Sequence, residues 1–153
     1  MELITISRLS SFRACPRQHY YRYERSIRPK VTADALKFGT AVHLGLEAWW
    51  QNPGSRLESA IAALRGTEME AFELVKVEEL LLGYDVRWGA EEYEAVEVEA
   101  EFYAPMVNPA NGRKSRTAKI GGKLDGIVKD RYGRHWILEH KTTSGDFTPG
   151  SDY

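Results

Sequence analysis

The sequence has little cysteine, no long apolar run and almost no net charge. Cys15 is the single cysteine among 153 residues, so no disulfide can form within the chain, and a reducing, cytoplasmic setting is expected. No apolar run approaches the roughly 20 residues that a transmembrane helix needs. The first residues, MELITISRLS, lack the apolar stretch of a secretory signal peptide. These absences exclude a disulfide scaffold and predict one globular domain without a membrane partner.

The formal net charge of −1 hides an uneven distribution. Residues 8–30 carry seven Arg or Lys against one acid, and residues 66–101 carry twelve acids against two basic residues. Residues 102–141 carry nine basic residues against three acids. Because local fields steer polyanions, two basic segments separated by an acidic one leave a nucleic-acid partner open.

The first half of the chain predicts helices, because apolar residues recur at steps of three and four. Ser7 is the expected N-cap of the first helix, on which Leu9, Phe12 and Tyr20 are expected to be buried. The predicted helices cover Ser7–Tyr23, Ala33–Trp50 and Arg56–Leu82, the last with a weak point at Gly66 and an end at Gly83.

The second half changes to a period of two, which indicates strands. The predicted strands are Tyr93–Tyr103, Lys119–Lys129 and His135–Thr142, and a turn at residues 130–134 joins the last two. Helices followed by strands predict an α+β fold, with the N-terminal helices packed on one face of an antiparallel or mixed central sheet.

Asp125, Glu139 and Lys141 are the candidate catalytic residues. Glu139 and Lys141 are two apart, so both project from one face of a strand, and the hairpin brings Asp125 within reach of Glu139. Two neighbouring carboxylates favour a cation between them, and carboxylate oxygens suit Mg²⁺ or Mn²⁺. Lys141 would then orient a water or stabilise negative charge on phosphorus. The alternative is an ordinary hairpin with a solvated polar face.

His43 is a candidate metal ligand in the helical segment GTAVH, where Gly39 permits close backbone approach. The alternative is an ordinary helix histidine, with Glu47 either paired to it or solvated.

The segment Ser7–Arg25 interleaves arginines with aromatic residues. Arginines neutralise phosphates and aromatic rings stack on bases, so this mixture suits single-stranded nucleic acid or frayed ends. The alternative is an amphipathic helix with its aromatic residues in the core. The candidate nucleic-acid-binding residues are Arg8, Arg13, Arg17, Tyr20, Arg22 and Lys123.

Four motifs together carry a resemblance. They are S-x-L-x-x-[FY]…C-P-x-x-[FY], G-x-x-x-H, G-x-[IL]-D and [DE]-x-K, found here as SRLSSFRACPRQHYYRY, GTAVH, GKLD and EHK. In this order they resemble the RecB-type branch of the PD-(D/E)xK nuclease superfamily, over nearly the whole chain. That branch includes nuclease domains of helicase–nuclease recombination machines, CRISPR-associated adaptation nucleases and exonucleases of phage recombination systems.

The resemblance implies a restriction-endonuclease-like core and a Mg²⁺- or Mn²⁺-dependent DNA nuclease with one or two ions, most simply an exonuclease of recombination, repair or phage replication. It implies that His43, Asp125, Glu139 and the backbone carbonyl of His140 are metal ligands and that Lys141 is the catalytic lysine. Its substrate would be single-stranded DNA or duplex ends, and other recombination or replication proteins are possible partners. The expected location is the cytoplasm of a bacterial cell or of a phage-infected host.

The sequence departs from the branch at its C-terminal end. Members usually continue into a helix with Q-x-x-x-Y, whereas residues 142–153 form a short polar segment. Residues 1–153 are therefore expected to be a single nuclease-like domain truncated at its C-terminus, with weak or lost activity. Some members bind an iron–sulfur cluster through a cysteine that corresponds to Cys15 and three C-terminal ones; that trio is missing here, so no cluster is expected.

Two other interpretations stay open. The chain could be a catalytically silent DNA-binding or scaffold module of the same fold, or a protein-interaction domain without nucleic acid. The alternating glutamates Glu97, Glu99 and Glu101 are expected to share a solvated strand face, although one of them could enter the outer shell of a metal.

Overall fold

The computed structural model describes residues 1–31 and 33–143, and these form an α+β fold with a mixed four-stranded sheet, as predicted. A short first strand, which the sequence analysis missed, precedes the helices. The predicted polar segment lies, from residue 144 onward, outside the described residues. The elements are β1 Glu2–Ile4, α1 Ile6–Ala14, α2 Pro16–His19, a π-helix Tyr20–Glu24, α3 Asp34–Gln51, α4 Arg56–Ala63, α5 Ala71–Trp88, β2 Glu94–Val107, β3 Lys114–Lys129 and β4 His135–Leu138.

The sheet is mixed because β3 has both a parallel and an antiparallel neighbour. It pairs in parallel with β1, Glu2 standing opposite Ala118, and antiparallel with β4, Gly126 standing opposite Leu138. The strand order is β1-β3-β2, and β4 also pairs with β3. β3 is therefore the strand to which the other described strands attach.

The turn between β3 and β4 forms at residues 130–134, as predicted. The Asp130 carboxylate accepts the main-chain N–H of Tyr132 at 2.9 Å and of Arg134 at 3.0 Å. It also accepts Arg134 Nε at 2.8 Å and Trp136 Nε1 at 3.1 Å. Burial alone would raise the pKa of Asp130, but these hydrogen bonds hold it well below its usual value. The turn fixes the register of β4 on β3 and so positions the residues that follow β4.

The chain divides into two compact units. The first comprises Met1–Val31 and Ala100–Leu124, and the second comprises Thr32–Glu99 and Asp125–Tyr153. That all 153 residues make up one nuclease-like domain stays a prediction.

In the first unit, the single helix predicted over Ser7–Tyr23 is wrong. Thr5, not Ser7, is the N-cap, and its hydroxyl accepts a main-chain N–H at 3.2 Å. Cys15 is extended, with φ −158° and ψ 103°, because the ring of Pro16 disfavours a helical conformation before it. The Cys15 sulfur then accepts a main-chain N–H of α2 at 3.4 Å, so one residue ends α1 and caps α2.

The prediction that Leu9, Phe12 and Tyr20 are buried is also wrong. Their exposed fractions are 39%, 54% and 45%, and none of the residues of α1, α2 or the π-helix is buried. Helical periodicity identifies side chains that share a face, but burial needs a second element that covers the face. The aromatic residues of this segment therefore stay accessible.

In the second unit, α3, α4 and α5 build the core. Trp49, Val77 and Leu81 are fully buried, and Val128 of β3 belongs to the same cluster. Helices α3 and α5 approach closely at Gly45 of α3, where an added Cβ would lie 2.5 Å from Leu81 Cδ1 of α5. The helix predicted over Ala33–Trp50 is confirmed within one residue at each end.

The third predicted helix is two helices. It breaks around Gly66, which has φ +90°, as the sequence suggested. The predicted end at Gly83 is wrong, because α5 continues to Trp88. The residue after Gly83 is Tyr84, whose ring packs edge to face on Trp49 with centroids 5.1 Å apart. Such packing outweighs the cost of about 1 kcal/mol for a glycine inside a helix.

No helix in the described ranges has the length and hydrophobicity of a membrane-spanning segment.

Candidate metal centre

Asp125 lies on β3, in the stretch that leads into the hairpin, and both of its carboxylate oxygens have partners. Oδ1 lies 3.2 Å from His43 Nδ1. Oδ2 accepts the main-chain N–H of His140 at 2.5 Å and lies 3.4 Å from His140 Nδ1. The Asp125 side chain is 16% exposed. Asp125 is thus a mostly buried acceptor between two imidazoles.

The hydrogen bond from the His140 N–H to Asp125 explains why the last strand is shorter than predicted. The last strand was predicted to reach Thr142, but β4 ends at Leu138. Beyond that residue, the His140 N–H is bound by the Asp125 side chain rather than by a main-chain carbonyl, so the ladder stops.

His43 lies on α3, one helical turn after Gly39. An added Cβ at Gly39 would lie 3.2 Å from Thr142 Oγ1, so the helix passes close to the segment that follows β4. The close approach that was predicted at Gly39 is therefore present, and one turn later the His43 imidazole lies beside the Asp125 carboxylate.

Glu99 joins these two residues, although the alternation of the glutamates predicts a solvated side chain at this position. Its φ of +57° interrupts the alternation of β2, so Glu99 is half-buried whereas Glu97 and Glu101 are exposed. The prediction of one solvated glutamate face is therefore wrong for Glu99. Alternation assumes a regular strand, and a left-handed glutamate has no sequence signature, so no sequence signal distinguished Glu99 from its neighbours.

His43, Glu99 and Asp125 form a group that suits a metal ion. Their ligand atoms all lie within 4.8 Å of one another, and all three residues are half-buried. Two carboxylates at this separation repel each other unless a cation lies between them. Two carboxylate oxygens and one imidazole are donors for a divalent ion such as Mg²⁺ or Mn²⁺, with the imidazole favouring Mn²⁺.

Glu139 and Lys141 lie just after β4 and contact each other. Lys141 Nζ donates to Glu139 Oε1, and the lysine is largely exposed. Among the described residues, Glu139 is not part of the group around Asp125. The assignments of Glu139 as a ligand and of Lys141 as the catalytic lysine stay predictions.

The ring of His140 is largely enclosed, with 14% of the side chain exposed, and the motifs give it no role because they assign only its main-chain carbonyl. Its Nε2 lies 3.1 Å from the Tyr84 hydroxyl, which also accepts Trp50 Nε1–H at 3.1 Å. Burial lowers the pKa of His140 and raises the pKa of Tyr84. Both shifts favour the neutral side chains near neutral pH.

A pocket of about 330 Å³ opens beside His140. Its walls are mostly aromatic, and its polar lining includes Glu139 and His140. The aromatic residues that line it are Trp50, Tyr84, Trp88, Tyr93 and Trp136.

The candidate nucleic-acid-binding residues belong to the first unit. Arg8 is largely buried and its guanidinium binds Glu2 at 2.6 Å and Glu24 at 2.7 Å, so its charge is neutralised locally. Arg17 is exposed and lies over the Tyr21 ring, with 5.8 Å between its guanidinium carbon and the ring centroid. The remaining candidates, Arg13, Tyr20, Arg22 and Lys123, are exposed.

By fold and donor set, the chain falls in the class of α+β proteins whose carboxylate–imidazole group suits a divalent metal ion. Comparison of its sequence with known families then gives the assignment: the chain belongs to the PD-(D/E)XK nuclease superfamily, whose pattern matches residues 3–152. No curated protein matches the chain significantly.

Proposed function

We propose that this chain is a Mg²⁺- or Mn²⁺-dependent DNA nuclease that hydrolyses phosphodiester bonds. The observation that carries the proposal is the group of His43, Glu99 and Asp125 within a member of a nuclease superfamily. The family supplies the reaction class, and the group supplies donors for the ion that such a reaction uses.

In this proposal His43, Glu99 and Asp125 hold the ion. When bound, a divalent ion supplies an activated water and stabilises negative charge on phosphorus. Hydrolysis would form a bond from the water oxygen to phosphorus and break the bond from phosphorus to the leaving oxygen, and the proton that the water loses would balance the proton that the leaving oxygen takes up. Because the fold already holds the two carboxylates and the imidazole close together, the ligands are in place before substrate arrives.

Lys141 and Glu139 act beside this group. Both follow β4 directly, and the intervening His140 N–H is bound to Asp125, which ties the segment to the candidate site. The Lys141 ammonium can leave its exposed carboxylate partner to orient the water or to contact a phosphate oxygen. Glu139 and the His140 carbonyl are further ligands in the proposal, for the same ion or for a second one.

The exposed Arg13, Arg17 and Arg22, with Tyr20 and Lys123, are the proposed contacts to DNA. Guanidinium groups bind phosphates and accessible rings stack on bases, which suits single strands or duplex ends. Arg8 has the weakest support, because two carboxylates already bind it.

The finer assignment is an exonuclease of the RecB-type branch that acts in recombination, repair or phage replication, in the cytoplasm and with other recombination or replication proteins. Its support is the ordered set of SRLSSFRACPRQHYYRY, GTAVH, GKLD and EHK. A second candidate is a catalytically silent DNA-binding module, which is favoured by the pairing of Lys141 with Glu139 outside the candidate metal group.

The test is degradation of end-labelled single-stranded and duplex DNA with Mg²⁺, Mn²⁺ or EDTA. The variants are Asp125→Asn and Lys141→Ala. Asp34→Asn, an exposed aspartate at the start of α3, and Lys76→Ala, a lysine paired with Glu73, are their matched controls.

We expect metal-dependent cleavage that falls at least about a thousandfold in both site variants and is unchanged in both controls. Release of label from one end first would support the exonuclease assignment. Salt-dependent DNA binding without cleavage under any metal condition would support the silent module instead.

A further inference from the structure

Two hydrogen bonds join three side chains, and a polar contact leads from the last of them to Asp125. Trp50 Nε1 lies 3.1 Å from the Tyr84 hydroxyl, and this hydroxyl lies 3.1 Å from His140 Nε2. His140 Nδ1 in turn lies 3.4 Å from Asp125 Oδ2. We call Trp50, Tyr84 and His140 the aromatic relay. Through it, side chains of α3 and α5 are connected to Asp125 on β3.

For a neutral His140 ring, donor chemistry fixes the direction of each hydrogen in the aromatic relay. An indole N–H only donates, so the Tyr84 oxygen accepts from Trp50 and keeps its own hydrogen free. An ionised carboxylate only accepts, so His140 Nδ1 carries a hydrogen toward Asp125. A neutral imidazole then has a lone pair on Nε2, to which Tyr84 donates. One tautomer of His140, with hydrogen on Nδ1, satisfies all three contacts.

The aromatic relay is held rigidly. Trp50 is buried, and the His140 side chain is 14% exposed, so water competes little for these hydrogen bonds. Trp49 packs edge to face on both Trp50 and Tyr84, with centroids 4.9 and 5.1 Å apart. The rings therefore have little freedom to turn away from their partners.

We propose that Tyr84 is a positioning residue for the candidate metal centre, acting through the His140 ring. By fixing the tautomer and orientation of that ring, Tyr84 makes Asp125 Oδ2 the acceptor of both the ring and the main-chain N–H of His140. Oδ1, the oxygen on the His43 side, is then left for the ion. This inference rests on the proposed metal centre.

The first experiment needs no metal. The nitrogen-15 NMR shifts of the His140 ring, measured at pH 8 in metal-free protein, identify which nitrogen carries the hydrogen. We expect the Nδ1–H tautomer in the wild type and a mixture of tautomers in Tyr84→Phe, which removes only the hydroxyl. The matched control is Tyr93→Phe, which removes a hydroxyl from the lining of the same pocket outside the relay and should leave the His140 shifts unchanged.

The second experiment measures Mn²⁺ affinity by calorimetry on the same proteins, with thermal unfolding to verify that each variant is folded. Loss of a group that orients a metal ligand typically lowers affinity about 10- to 100-fold, and we expect a loss of that order for Tyr84→Phe and none for Tyr93→Phe. Trp50→Phe, which removes the first donor, should lie between them.

Two outcomes would overturn the positioning role while leaving the metal centre intact. One is an Nε2–H tautomer of His140 in the wild type, and the other is unchanged Mn²⁺ affinity in folded Tyr84→Phe. A wild type that binds no Mn²⁺, or binds it as well after Asp125→Asn, would instead overturn the metal centre itself and the role that depends on it.

Discussion

In the second unit, Trp49 packs edge to face on both Trp50 and Tyr84, and the polar atom of each of the three rings has a partner. In the first unit, Tyr20 and Tyr21 are exposed, and what lies over Tyr21 is the guanidinium of an arginine. Aromatic residues of similar size therefore serve two purposes in one chain. A ring enclosed by other elements builds a core, whereas a ring left at the surface stays available to a ligand.

The largest expected effect tests the core side of this comparison. Trp49 is fully buried, so Trp49→Ala should lower the free energy of unfolding by about 3–5 kcal/mol. Phe12 is 54% exposed, so Phe12→Ala in the first unit should lower it by less than about 1 kcal/mol. Urea unfolding of both variants measures the difference. Equal losses would mean that the two units do not differ in how they use aromatic residues.

A pH series sharpens the comparison with a carboxylate of the second unit. The pKa of Asp130 is lowered in the folded state, so its stabilising contribution is present above the unfolded value of about 4 and is lost as pH falls below it. Asp130→Asn should therefore have a lower Tm than the wild type at pH 7, and the gap should narrow as the pH falls below about 4. The loss at pH 7 should be smaller than that of Trp49→Ala.

The control for this series is Glu24→Gln, which removes an exposed ion-pair partner of Arg8 in the first unit. Glu24 is exposed and Arg8 keeps Glu2 as a second partner, so the Tm of this variant should stay close to that of the wild type across the series. A gap for Asp130→Asn that is as wide at pH 3 as at pH 7 would contradict the assignment to the Asp130 charge.

Two arginines that lie over aromatic rings test the ligand side of the comparison. Arg17 lies over Tyr21 in the first unit, and Arg87 lies over Trp88 in the second, with 4.1 Å from guanidinium to ring centroid. If the first unit contacts DNA phosphates, Arg17→Ala should weaken single-strand binding several-fold and reduce the slope of log affinity against log salt by about 0.7. Arg87→Ala should change neither, and an equal effect of the two variants would break the comparison.

The smallest effect on the free energy of unfolding is expected at Glu99, the last residue of Thr32–Glu99 in the second unit. Here the substitution should stabilise the protein, unlike the changes above. Glycine tolerates a positive φ, so Glu99→Gly should raise the free energy of unfolding by about 1 kcal/mol while weakening Mn²⁺ binding. Glu97→Gly, two residues earlier in the same strand, should lower it by about 0.5–1 kcal/mol. A destabilised Glu99→Gly would show that contacts of the Glu99 side chain outweigh its backbone strain.

The sequence predicts those parts of the fold that depend on local pattern. The α3 helix, the break around Gly66 and the turn at residues 130–134 follow from periodicity, from a glycine and from a turn composition. The bounds of α1 and α5 and the exposure of Leu9 depend on which surfaces meet, and no local pattern reports that. The strand β1 was missed because three residues are too few to show an alternation.

The candidate site divides in the same way. His43 and Asp125 were found because their motifs have a fixed spacing, and the structure brings their side chains together. The place of Glu99 in the site depends on a backbone conformation that residue type does not reveal. The contact of Tyr84 with His140 depends on the packing of α5 on α3. Residues that act through a tertiary contact leave no motif of their own.

The parallel pairing of β1 with β3 has a consequence for the order of folding. Glu2 precedes the helices α3, α4 and α5 along the chain, whereas its partner Ala118 follows them. The helices α3, α4 and α5, by contrast, succeed one another along the chain and can pack on each other as soon as they are made. Closing the long loop between β1 and β3 costs more entropy than these local contacts do. We therefore expect the helical core to form first on the ribosome, while β1 waits with unpaired backbone groups that a chaperone or another chain can reach.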